Sequence, residues 1–197
     1  MLASLAVGAC AAPPPPPSEA PALVSTVEIP DDFLLRQHVE FRAGERSGSF
    51  EAVVQKRCDE LVVIGFTPFG TRAFSIRQRG TEVQAEVHVP GSWPFPPEYI
   101  LLDIHRAYLV PLPEVPPASE HREIRYGGER VTERWEVGRL VERMFSRAGA
   151  RRAAAVAVRY VGGETHERIV RETRIENGEF GYELRITTLS RVDLRCP

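Results

Sequence analysis

The chain has 197 residues, enough for one domain with a sizeable core. Its net charge is −2 with 26% charged residues, so it carries no basic field of the kind nucleic acid requires. After Cys10 there is no apolar run of the ~20 residues that a bilayer-spanning helix needs. Lys56 is the sole lysine, and the arginines alternate with glutamates along strand-like segments, as on solvated sheet faces.

The first ten residues, Met1-Leu-Ala-Ser-Leu-Ala-Val-Gly-Ala-Cys10, are followed by five prolines, Pro13 to Pro17. Val7, Gly8 and Ala9 before Cys10 resemble a bacterial lipobox, which implies that Cys10 carries the lipid of a membrane anchor. The expected division is a truncated signal and lipobox over 1–10, a stiff Pro-rich linker over 11–32 and a domain over 33–197. The stretch before Cys10 has no Lys or Arg, so this reading implies a start upstream of Met1. The alternative is an Ala/Leu-rich tail on a cytoplasmic protein.

From Phe33 onward, alternation with period two predicts half-buried strands. Leu35, Val39 and Phe41 alternate with charged residues, and a turn follows at 43–48. A second strand carries Phe50, Ala52 and Val54. Leu61 to Phe66 is a continuous apolar run that breaks at Thr67-Pro68-Phe69-Gly70. Ala73, Phe74 and Ile76 resume the alternation, and Gly80 turns into Val83, Ala85, Val87 and Val89. Short turns make this an antiparallel meander of about five strands. Ile100, Leu101, Ile104 and Tyr108 then recur at helical spacing between prolines, predicting an amphipathic helix over 97–109. Residues 113–130 read as loop. Five further strands follow over 131–137, 139–145, 153–161, 167–175 and 182–189, with a hairpin signal at Asn177-Gly178. The expected fold is mainly β: a barrel, or an unclosed antiparallel half-barrel of about ten strands, with the helix packed over its concave apolar face.

No catalytic set is visible, and an enzyme is not expected. His38, His88, His105, His121 and His166 form no i, i+2 or i, i+4 pair, so neither a metal box nor any other cofactor site is indicated. Asp103 and His105, two apart on the helix, point in different directions, and Glu164, His166 and Glu167 flank a Gly-Gly turn. What remains is an interior. Its expected lining is Leu35, Val39, Phe41, Phe50, Phe74, Ile76, Val83, Val87, Tyr182, Leu184 and Ile186 from the sheet and Ile100, Ile104 and Tyr108 from the helix, either as ordinary core or as the wall of an acyl-chain pocket. With Cys10 acylated, Cys58 and Cys196 form an even pair, as a disulfide or as two free thiols.

The order of elements, with Thr67-Pro68-Phe69-Gly70, Pro97-Glu-Tyr-Ile-Leu-Leu-Asp103, Leu109-Val-Pro-Leu112 and Gly181-Tyr182-Glu-Leu184-Arg-Ile186-Thr-Thr188-Leu189, resembles LolB, the outer-membrane lipoprotein receptor. It is still more similar to a group of LolB-like lipoproteins, some of them associated with aryl-polyene gene clusters. The resemblance implies an unclosed barrel of about eleven strands with helices as a lid over a cavity for lipid or lipoprotein acyl chains. It also implies a membrane-inserting loop at Pro68, Phe69 and Gly70, with Phe69 where that family has leucine. Placement on the periplasmic face of the outer membrane and a LolA-like periplasmic carrier as partner follow from it. The competing expectation is a structural or assembly lipoprotein with a filled core, acting through protein contacts.

Overall fold

The computed structural model describes residues 23–89, 97–118, 120–147, 155–164 and 170–196. Cys10 and the linker up to residue 22 lie outside them.

Two antiparallel meanders share one sheet. The first comprises β1 (Phe33–Ala43), β2 (Arg46–Arg57), β3 (Glu60–Phe66), β4 (Arg72–Arg79) and β5 (Glu82–Val87). The second comprises β6 (His121–Tyr126), β7 (Glu129–Glu136), β8 (Arg139–Ser146), β9 (Val156–Glu164), β10 (Glu172–Asn177) and β11 (Tyr182–Asp193). The order across the 11-stranded sheet is β5-β4-β3-β2-β1-β11-β10-β9-β8-β7-β6, so the last strand returns to the first and β5 and β6 form unjoined edges. The architecture is therefore an unclosed antiparallel half-barrel.

The helix α1 (Pro97–Ile104) continues through a π-helical turn, His105–Leu109, matching the expected span. Its environment differs from the expectation. Every residue from Ile100 to Ala107 is buried, including Asp103, His105 and Arg106. An amphipathic lid would keep one face in water, whereas this helix is enclosed on all sides and its polar groups are paired inside.

Strand β6 corrects the expected loop over 113–130. In His121-Arg-Glu-Ile-Arg-Tyr126 only Ile124 and Tyr126 are apolar, and both are half-buried. An edge strand closes one flank and needs no more apolar surface than that. In β3 the Leu61–Phe66 run places Leu61 and Val63 in the core and leaves Val62, Ile64 and Phe66 half-exposed on the other face. Gly65 is required there: a Cβ would lie 1.9 Å from the buried Phe74 ring that packs across it.

Pairing registers put the turns at 44–45, 67–71, 127–128 and 178–181 on one rim, beside the start of α1, and the turns at 58–59, 80–81 and 137–138 on the opposite floor. A 3-10 turn, Thr26–Glu28, plugs the floor. Thr26 exchanges hydrogen bonds with Gly80 and donates to the Asp59 carbonyl.

Candidate functional site

The interior has an apolar side and an ionic side, and the helix faces both. On the apolar side, Ile100, Ile104 and Tyr108, one turn apart, lie against Val39, Phe50, Ala52, Val54, Val63, Leu184 and Ile186 and leave a cavity of about 30 Å³. That is the room of one water molecule. Of the expected lining, Leu35, Phe74, Ile76 and Tyr182 are buried core away from this gap. Phe41 is half-buried over Gly48, and Val83 is half-buried on β5. Val87, at the end of the edge strand β5, is 45% exposed and does not line this gap.

On the ionic side, Arg106 is 1% exposed. Its Nε donates to Glu129 Oε2 at 3.0 Å and its Nη2 to Glu129 Oε1 at 2.7 Å, a two-pronged pair. Further donations reach Asp103 Oδ1 at 3.3 Å and Glu179 Oε2 at 3.2 Å. Burial by itself disfavours the Arg106 charge, but the hydrogen bonds to Glu129 and the fields of the three carboxylates outweigh that and hold the guanidinium firmly protonated. Burial pushes Asp103 up to about 6, against the pull of Arg106 and a hydrogen bond donated by Tyr182. Asn177 accepts from the backbone N–H groups of Glu179 and Phe180, and this turn aims Glu179 inward, where Arg147 also meets it.

Two further contacts pin the helix. His105 Nε2 and Gln78 Oε1 are 2.7 Å apart, and Gln78 donates to the Val24 and Gly80 carbonyls, so the helix, β4 and the floor plug are linked. Burial lowers His105 to about 4, leaving the imidazole neutral and Nε2 as the donor. Tyr160 donates to the Ala107 carbonyl at 2.8 Å and accepts from Arg143, which is itself bonded to Glu133.

The strand arginines and the glutamates that alternate with them were expected on solvated sheet faces, and Asp103 and His105 were expected to point in different directions from the helix. Parity held the signal: Glu129 and Glu133 share the inward phase of Val131 and Trp135, Arg143 that of Phe145, and Gln37 that of Leu35 and Val39. A charged residue on the buried phase of a strand must find a partner inside.

On the rim, Phe69 is 94% exposed at the tip of the β3–β4 hairpin. The tip is held by Thr67 N–H donating to Thr71 O at 2.8 Å and Gly70 N–H to Thr67 O at 2.9 Å, with Gly70 at φ 77°. Pro68 and Gly70 beside it are exposed too. At the floor, Cys58 and Cys196 are joined as a disulfide, with Cα atoms 5.3 Å apart. Asp32 lies next to them and makes, among the described residues, the one three-residue cluster of metal-ligand type; its sulfurs are taken up by the disulfide. Among the described residues no helix is long and apolar enough to cross a membrane.

An open half-barrel wound around a buried, ion-paired helix defines the class of protein. The chain belongs to the family of protein of unknown function DUF3261, matched over residues 34–190. No curated protein matches it in sequence. Among solved structures it is similar to a LolA superfamily protein of Nitrosomonas europaea at 13% identity and TM-score 0.47, over 87% of this chain and 90% of that one. A Vibrio parahaemolyticus domain, provisionally assigned as an outer membrane lipoprotein-sorting protein, is 11% identical with TM-score 0.45, over 83% and 85%. A DUF1329 family protein of Desulfovibrio piger is 11% identical with TM-score 0.45, over 85% and 88%. These are likenesses of overall form.

Proposed function

We propose that this protein is a LolB-like, non-enzymatic carrier: an outer-membrane lipoprotein, anchored through Cys10 on the periplasmic face, that shelters acyl chains of lipid or lipoprotein and passes them to the membrane at Phe69. A LolA-like periplasmic carrier is its proposed donor. The observation that carries this reading is the way the helix occupies the sheet. Its apolar face fills the concave wall that an acyl chain would use, while its other side is held by ionic contacts. Pocket-bound ligands need roughly 300–1,000 Å³, so cargo enters only as Ile100, Ile104 and Tyr108 leave. Buried ion pairs add little net stability because desolvation offsets their attraction. Undocking returns Arg106, Glu129 and Glu179 to water and exposes an apolar wall to the incoming chain.

The rim geometry accommodates the anchor. Gly80, which binds the plug at Thr26, and Phe69 sit at opposite ends of β4, about 26 Å at ~3.3 Å per residue. The residues between Cys10 and Leu23 reach about 40 Å when extended, so the anchor and Phe69 can meet one bilayer. An aromatic tip suits the headgroup boundary.

A second reading, a structural lipoprotein with a filled core acting by protein contact, is favoured by the cavity of about 30 Å³. Native mass spectrometry after incubation with palmitate separates them. Under the carrier reading the protein retains fatty acid, and Arg106→Gln, which loosens the helix, retains more. Absence of bound fatty acid in both proteins selects the filled-core reading.

A further inference from the structure

Three buried polar atoms make no hydrogen bond of ordinary geometry: Gln37 Nε2 and the Tyr108 hydroxyl, whose residues line the cavity, and Thr173 Oγ1, on the same sheet row as the lining residues Val39 and Ile186. Gln37 and Thr173 are 2% and 0% exposed. Both are inward on the concave wall, on β1 and β10, with only β11 between those strands. Val39, Ile186 and Thr173 lie in one row of the sheet, and Gln37 is the next inward residue of β1. Tyr108 on the helix is directed at both, and burial pushes its hydroxyl up to about 12. Gln37 and Tyr108 also line the apolar gap with Val39, Phe50 and Ile104. A leucine would pack in the Leu35–Val39 stripe without leaving a buried N–H unpaired, so an amide there calls for an acceptor.

We propose that Gln37 and Thr173 receive the carbonyl oxygen, carboxyl or ester, of a bound acyl chain, and that Tyr108 stands in for that oxygen while the helix is docked. The inference rests on the carrier reading. Gln37 Nε2 and Thr173 Oγ1 donate to the oxygen, and the chain runs along Val39, Phe50, Val63 and Leu184. Ile100, Ile104 and Tyr108 follow one another at intervals of four residues on one helix face, so the helix offers the sheet two aliphatic groups and then an oxygen, the pattern of the cargo itself.

The test compares wild type with Gln37→Leu, Thr173→Val and the double variant, using dansyl-undecanoic acid, which has a carboxyl group, and diphenylhexatriene, which has no oxygen. The expected result is about tenfold weaker binding of the fatty acid by the double variant and unchanged binding of the hydrocarbon. Equal losses for the two probes, or an unchanged fatty-acid affinity, overturn the site. Unchanged binding with a lowered melting temperature overturns it as well and marks the group as a seat for a buried water. If Gln37→Leu does not fold, the isosteric Thr173→Val carries the same comparison. Wild type that binds neither probe overturns the carrier reading and this site together; wild type that binds both, with variants indistinguishable from it, overturns the site alone.

Discussion

The two faces of the central helix are held by opposite physics. The face of Ile100 and Ile104 meets the sheet through apolar contact around a gap of one water, and the face of Asp103 and Arg106 meets it through charges that only this arrangement satisfies. Apolar contact is unspecific about its occupant, so another chain of methylenes can replace it. The ionic contact is specific: it sets where the helix sits and in which register, while adding little to how firmly it sits.

Breaking the ionic face from one side has the largest expected effect. Arg106→Ala strands Glu129 in the interior, leaves Glu179 with Arg147 as its cation, and should cost ~3–5 kcal/mol in urea unfolding. Replacing Arg106 and Glu129 together by methionine should recover part of that, since Glu129 no longer leaves a charge unpaired while Glu179 keeps Arg147 and Asp103 keeps the hydrogen bond from Tyr182; a double variant as unstable as the single one contradicts the specificity argument. On the apolar face, Ile104→Ala should cost ~2–4 kcal/mol and, by enlarging the gap, increase uptake of a hydrocarbon probe. Loss of stability without gain in uptake would show that the wall is plain core.

The pH dependence comes next. Asp103 is raised to about 6, so the folded state holds its proton more tightly than the unfolded chain, and stability from this group grows as pH falls from 7 to 5. His105 is lowered to about 4, so the unfolded chain takes the proton first and stability from this group is lost over the same range. The two oppose each other on one helical turn. Denaturation series at pH 7 and 5 should show little net change in wild type, a gain of ~1 kcal/mol for His105→Gln and a loss of ~2 kcal/mol for Asp103→Asn. Parallel slopes in all three proteins would contradict the assignment. The smallest effect on stability belongs to Phe69→Ser, within ~0.5 kcal/mol because the ring touches little, while flotation with phospholipid vesicles should fall. Unchanged flotation would remove Phe69 from the proposed membrane contact.

Much of the architecture was legible from periodicity. The helix span, ten of the eleven strands and the turn at Thr67–Gly70 follow from apolar residues recurring at two or near four and from proline and glycine at the breaks, while the exposure of Phe69 was decided by the structure. Strand β6 was not legible, because an edge strand with only Ile124 and Tyr126 turned inward carries too weak an alternation. The ionic interior was half legible. Glu129 and Glu133 have inward parity, but their cations, Arg106 and Arg143, come from other elements.

The sequence by itself determined the strand alternation, the turn positions and the location of the helix, because each depends on residues close together in the chain. The tertiary structure decided that β11 returns to β1, that Cys58 meets Cys196 across 138 residues, that the helix is enclosed, and that Asp103, Arg106, Glu129 and Glu179 share one site. Those outcomes depend on pairings between distant segments, and an ion is stable in the interior only where folding brings its partner to it.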